Sequence, residues 1–140
     1  MSKKKEPVLE KKKFFIVNTS TFKTDICFFI NYTEEEMIAK AKQNNKPLYE
    51  LFQKYFKDKE KNIDDSSDQA RMYPLERGYA VRLKFYKDSW RWNVSLASHE
   101  ICHIVGWLLG KVRTPLCQDT DEVYAYLTEE ITLKFLKGWY

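Results

Sequence analysis

His99 and His103 are the only histidines among 140 residues, and they stand four apart with Glu100 beside the first. At that spacing on a helix, both imidazoles project from one face about one turn apart. Zinc takes tetrahedral nitrogen or oxygen ligands at about 2 Å, so the pair supplies half of a zinc (Zn2+) site. Glu100 is placed to take a proton from a zinc-bound water. Water-mediated hydrolysis is therefore the chemistry to expect.

Such a site needs a third ligand. Glu122 follows His103 after nineteen residues, in Asp121-Glu122-Val123-Tyr124-Ala125-Tyr126 at the start of a last helix. The loop containing Pro115 lets two helices fold back to face each other, and Ala125 is small enough to allow close approach. A carboxylate in a first turn is also favoured by the helix dipole. Asp121, Glu129, Glu130 and Cys117 are rivals for this place, and an ordinary helix-start carboxylate is the alternative for Glu122.

The pattern His99-Glu100-x-x-His103 with Glu122-x-x-Ala125 resembles the gluzincin branch of zinc metallopeptidases. The helix–loop–helix unit is similar to the domain of ImmA/IrrE proteins, and Asp121 to Leu127 looks like a segment of small phage-encoded HExxH proteins. The resemblance covers about residues 79–137. It implies a compact zincin-like fold, zinc held by His99, His103 and Glu122, Glu100 as general base, and a peptide or protein substrate. It also implies that the strand at Tyr79–Tyr86 lines the cleft, where an extended peptide pairs with its edge.

Two features depart from that family. No third histidine is present to serve as an electrophilic donor, and no His-x-x-Gly-x-x-His extension follows, which excludes the metzincin branch. Hydrolysis needs a donor aimed at the developing oxyanion. Tyr126, Tyr124 and Arg113 are the candidates, with Tyr126 preferred because it lies one turn beyond Glu122. Trp92, Leu96 and Trp107 share or flank the histidine stripe and are expected to close the site against a sheet. Ser95 is a candidate to orient an imidazole, and Gly106 to permit close helix packing.

The elements that must position these residues follow from local pattern. Phe14–Val17 and Ile26–Ile30 read as two strands of a hairpin. Thr33-Glu34-Glu35-Glu36 is a capping box, starting a helix that buries Met37, Ile38 and Ala41. Leu48, Leu51, Phe52, Tyr55 and Phe56 form one face of a second helix. Lys57 to Gln69 is polar and reads as an exposed loop. Tyr79–Tyr86 alternates as a half-buried strand after a turn at Gly78. Asp88 or Ser89 caps a helix to about Leu109, stopped by Gly110, and Thr120 or Asp121 caps a last helix to about Lys137. The order ββαα, loop, β, α, loop, α predicts an α+β domain with a small antiparallel sheet.

Composition bounds the rest. A chain of this length with 44% hydrophobic and 31% charged residues fits one globular domain, taken as 13–140, behind a basic flexible tail at 1–12. No apolar run is long enough for a bilayer, and no signal peptide follows the basic start, so a cytoplasmic location is expected. For a phage-encoded protein that means the host cytoplasm or a virion. Cys27, Cys102 and Cys117 read as reduced thiols. Much of the net charge of +4 comes from Lys3–Lys5 and Lys11–Lys13; these support at most a weak nucleic-acid contact, and no basic stripe continues into the domain. Beside the hydrolase reading stands a catalytically silent zincin-fold protein, a binding or structural phage accessory or virion component whose zinc staples two helices.

Overall fold

Strands β1 (Lys13–Asn18) and β2 (Asp25–Ile30) form the expected antiparallel hairpin, with Phe14 opposite Phe29 and Phe15 opposite Phe28. The computed structural model describes residues 7–20, 22–58 and 69–140. The expected loop at 57–69 falls mostly outside the described residues, as does the start of the expected tail. The end of that tail is tied down: the Glu10 N–H donates to the Phe85 carbonyl at 3.0 Å, and the Lys87 N–H to the Val8 carbonyl at 2.8 Å.

Helix α1 (Glu34–Asn44) starts at the capping box. The Glu36 N–H donates to Thr33 Oγ1 and the Thr33 N–H to Glu36 Oε1, both at 3.1 Å. It buries Met37 and Ala41 and leaves Ile38 half-buried. Asn45 then accepts the Leu48 N–H at 3.1 Å and so opens α2 (Lys46–Asp58), with Pro47 in its first turn, where no N–H is needed. Leu48 and Phe52 are fully inside, and Leu51, Tyr55 and Phe56 flank them half-buried, as the stripe predicts.

A strand with no counterpart in the sequence reading follows, β3 (Ala70–Leu75), joined by the two-residue turn Glu76-Arg77 to β4 (Gly78–Leu83). Pro74 and Arg71 break the β pattern of β3, and a proline within a strand belongs at a sheet edge. The sheet order is β1-β2-β4-β3, and β2 runs parallel to β4. The sheet is therefore mixed rather than antiparallel. The reason is that β4 is buried along its whole length, as β2 nearly is, because helices cover both faces of the sheet.

On one face Cys27, Phe29, Tyr73, Leu75 and Ala80 pack with Met37, Leu48 and Phe52 of α1 and α2. On the other, Val17, Phe28, Ile30, Val81 and Leu83 pack with Ile101, Ile104, Leu127, Ile131 and Phe135 of α3 (Trp90–Lys111) and α4 (Asp121–Trp139). Full burial of each such side chain contributes about 1.5–3 kcal/mol. The one charged residue within β4, Arg82, is 7% exposed on the α1–α2 side. Close by, Glu34 Oε1 accepts the Tyr73 hydroxyl at 2.7 Å and Arg71 at 3.3 Å. Burial first, and then this bond to Glu34, push the Tyr73 phenol well above its ordinary pKa.

The ends of α3 and α4 differ from the sequence expectation. Asp88 takes a left-handed φ of 57° and Ser89 makes no side-chain cap. Instead the Asn93 side chain holds both main-chain groups of Tyr86, accepting its N–H at 3.0 Å and donating to its carbonyl at 2.9 Å. Gly110 does not stop the helix. The stop falls at Arg113, with φ 56°, while the Thr114 N–H returns to the Leu109 carbonyl at 2.9 Å. Thr120 does not cap α4 with its side chain, because its hydroxyl turns back to the Pro115 carbonyl and accepts the Cys117 N–H. No helix among the described residues is long and apolar enough to cross a membrane.

Candidate metal centre

The middle of α3 presents a stripe to solvent that carries Ser95, His99, Cys102, His103 and Trp107. The two imidazoles meet there, with Nε2 atoms 3.1 Å apart and ring centroids 4.7 Å apart. Two ligands about 2.0–2.1 Å from a tetrahedral zinc stand about 3.3 Å from each other, so this spacing fits a shared metal. It equally fits one imidazole N–H donating to the other ring's lone pair, with the tautomers set accordingly.

Glu100 lies about 100° around the helix from His99 and is 8% exposed. Its flank of α3 also carries Trp107, whose ring is 6.3 Å from His103 and 5.8 Å from Tyr79 of β4. The Lys111 ammonium sits 4.9 Å above the same Tyr79 ring. Trp107 therefore leans on the sheet as expected. Trp92 is 46% exposed and does not, and Leu96 is half-buried.

The opposite flank of α3 faces α4 across an open apolar groove of about 920 Å³, lined by Cys102, Val105, Gly106, Tyr124, Ala125 and Leu133 among others. A Cβ added at Gly106 would meet nothing within 4 Å, so this glycine does not serve close helix packing. Ala125 likewise borders the groove rather than a tight crossing.

The structure does not bring the whole predicted set together. Glu122 is exposed in the first turn of α4, and among the described residues no third His, Cys, Asp or Glu joins the histidine pair in a group that could hold a metal ion. Glu130 is engaged elsewhere, accepting the Ser20 N–H, the Ser20 hydroxyl and the Lys134 ammonium at 2.8–2.9 Å. Those bonds hold its carboxyl down at about 2. Cys117 is exposed, and its bond with the Thr120 hydroxyl lowers its thiol pKa. Asp121 and Glu129 are exposed on α4.

Of the oxyanion candidates, Tyr124 is committed, donating to the Thr114 carbonyl at 2.7 Å. Tyr126 is 68% exposed, and Arg113 forms the turn that ends α3.

The strand assigned to the cleft is also different. β4 is paired on both sides, with β2 and β3, and offers no edge. The free edge beside α3 is β3. Its turn fixes Leu75 and Gly78 as a hydrogen-bonded pair, and alternation then points the main-chain groups of Ala70, Met72 and Pro74 outward. Pro74 thus sits where its missing N–H costs the sheet nothing. The sequence signal for β3 was weak, a six-residue segment broken by its proline, and only the hairpin with β4 exposes its role.

Compared with known proteins, the chain matches no family model, and neither a curated protein nor a solved structure shows significant similarity. The resemblance to gluzincins rests on the residues of α3 and α4 themselves.

Proposed function

We propose that this protein is a zinc-dependent hydrolase acting on peptide bonds, with His99 and His103 holding the metal and Glu122 completing the site. The observation that carries this reading is the 3.1 Å approach of the two Nε2 atoms on the exposed stripe of α3. When bound there, zinc supplies Lewis acidity toward a carbonyl and lowers the pKa of water.

The remaining steps belong to the chain. Glu100, on the flank toward β3, takes the proton of the attacking water and returns it to the departing amine. An extended substrate pairs with the outward main-chain groups of β3, which sets its carbonyl beside α3. Glu122, exposed in the first turn of α4, is the third ligand in this reading. Tyr126 steadies the oxyanion from one turn further along α4.

Glu100→Gln separates binding from chemistry. The variant retains zinc at wild-type stoichiometry and loses about 10²–10⁴-fold in peptide hydrolysis. Undiminished hydrolysis by zinc-loaded Glu100→Gln would overturn the mechanism.

A second reading draws on the exposure of Glu122 and Tyr126. In it, the zinc is structural or bridges to a partner protein, and no bond is cleaved. Such a protein binds zinc, loses thermal stability with chelator, and hydrolyses no member of a peptide library.

A further inference from the structure

The first turn of α3 and the last turn of α4 border a second cavity, of about 250 Å³. From Trp90 to His99 is nine residues, so it lies about 13 Å along the helix from the histidines. Half of its lining residues are aromatic, including Tyr86, Trp90, Trp139 and Tyr140. Trp139 is held edge-on to the buried Phe85 at 5.0 Å, which fixes that wall. The charged groups that line the cavity are the carboxylates of Glu10 and Asp88, and among the described residues no lysine or arginine lines it.

Aromatic faces backed by carboxylates attract cations. Both tryptophans already show this affinity: Arg91 Cζ stands 5.4 Å from the Trp90 ring and Lys13 Nζ stands 5.9 Å from the Trp139 ring. Trp90 remains 64% exposed and Tyr140 81% exposed, so ring surface is left open. The carbonyl end of α4, negative in sign, already binds the Lys13 ammonium through the Trp139 carbonyl at 2.6 Å. The N-terminus of α3 has the opposite sign, and Asp88 stands two residues before its first turn. The polar side chain of Asn93 is already spent on Tyr86. The walls thus suit a cation that carries methyl groups rather than one that needs several hydrogen bonds.

We propose that this cavity binds a methylated ammonium group. The site is independent of the zinc reading and needs no metal. Titrating the full-length protein with choline and, separately, with trimethyllysine while following tryptophan fluorescence tests it. Both ligands are expected to give saturable changes, at least about tenfold tighter than the neutral isostere 3,3-dimethyl-1-butanol. The tighter of the two then tells whether the natural group is a free small molecule or a modified side chain.

Trp90→Ala, which removes a largely exposed ring, is expected to weaken binding about tenfold while leaving the thermal transition unchanged. Glu10→Gln is expected to weaken it several-fold. Equal binding of the neutral isostere would overturn the proposal, as would absence of saturation or preferential binding of inorganic phosphate.

Discussion

Tyr73 donates its buried hydroxyl to Glu34 at 2.7 Å, tying edge strand β3 to the first turn of α1 across the sheet face opposite the histidines. On the other face, Tyr79 is as deeply buried, yet its hydroxyl has no hydrogen-bond partner among the described residues. The same substitution should therefore act differently at the two sites. Tyr73→Phe is expected to lower unfolding free energy by about 1.5–3 kcal/mol, because a bond to a charged acceptor is lost. Tyr79→Phe is expected to be neutral or slightly stabilising. Urea denaturation of both at pH 7 checks this, and equal losses would refute it.

Two glycines make an equally sharp pair. A Cβ at Gly78 would stand 2.4 Å from the Asp25 carbonyl oxygen on parallel neighbour β2, which only a backbone shift relieves. Gly78→Ala should cost about 1–3 kcal/mol. At Gly106 the space is open, so Gly106→Ala should gain up to about 1 kcal/mol from helix propensity. Thermal unfolding of the two variants reads both signs.

Glu130 links α4 to the turn after β1. Its folded pKa of about 2 lies below its ordinary 4.5, chiefly through the Ser20 N–H, then Lys134. A depressed carboxylate stabilises the fold above the unfolded pKa, and that contribution fades as pH falls through the folded value. Glu130→Gln should therefore be less stable than wild type at pH 7 by about 1 kcal/mol, with allowance for solvent screening. The gap should close between pH 4.5 and 2. A difference that persists unchanged at pH 2 would contradict this.

Much of the scaffold was legible because its signals are local. The capping box at Thr33, the aromatic stripe of α2 and the paired runs of Phe14–Val17 and Ile26–Ile30 each depend on residues within a turn or a hairpin. β3 and the parallel pairing of β2 with β4 were not legible. They arise from coverage of both sheet faces by helices, which no short window contains, and Pro74 hides the edge strand further. Helix ends depart from the local pattern where side chains find better partners, as Thr120 does with the Pro115 carbonyl. At the site, the i, i+4 spacing of His99 and His103 was enough to predict their meeting. The position of Glu122 depends on the path of residues 112–120, which pattern does not fix, and the structure leaves it exposed.

The central claim is a zinc ion on the histidine pair, and metal analysis of protein purified without chelator or added zinc tests it most directly. Wild type should carry one zinc per chain. His103→Ala should lose it, with affinity falling by more than the roughly 10–100-fold typical of a lost supporting contact, and Glu122→Ala should bind more weakly than wild type. Wild-type protein without stoichiometric zinc, or His103→Ala with full zinc content, would contradict the account.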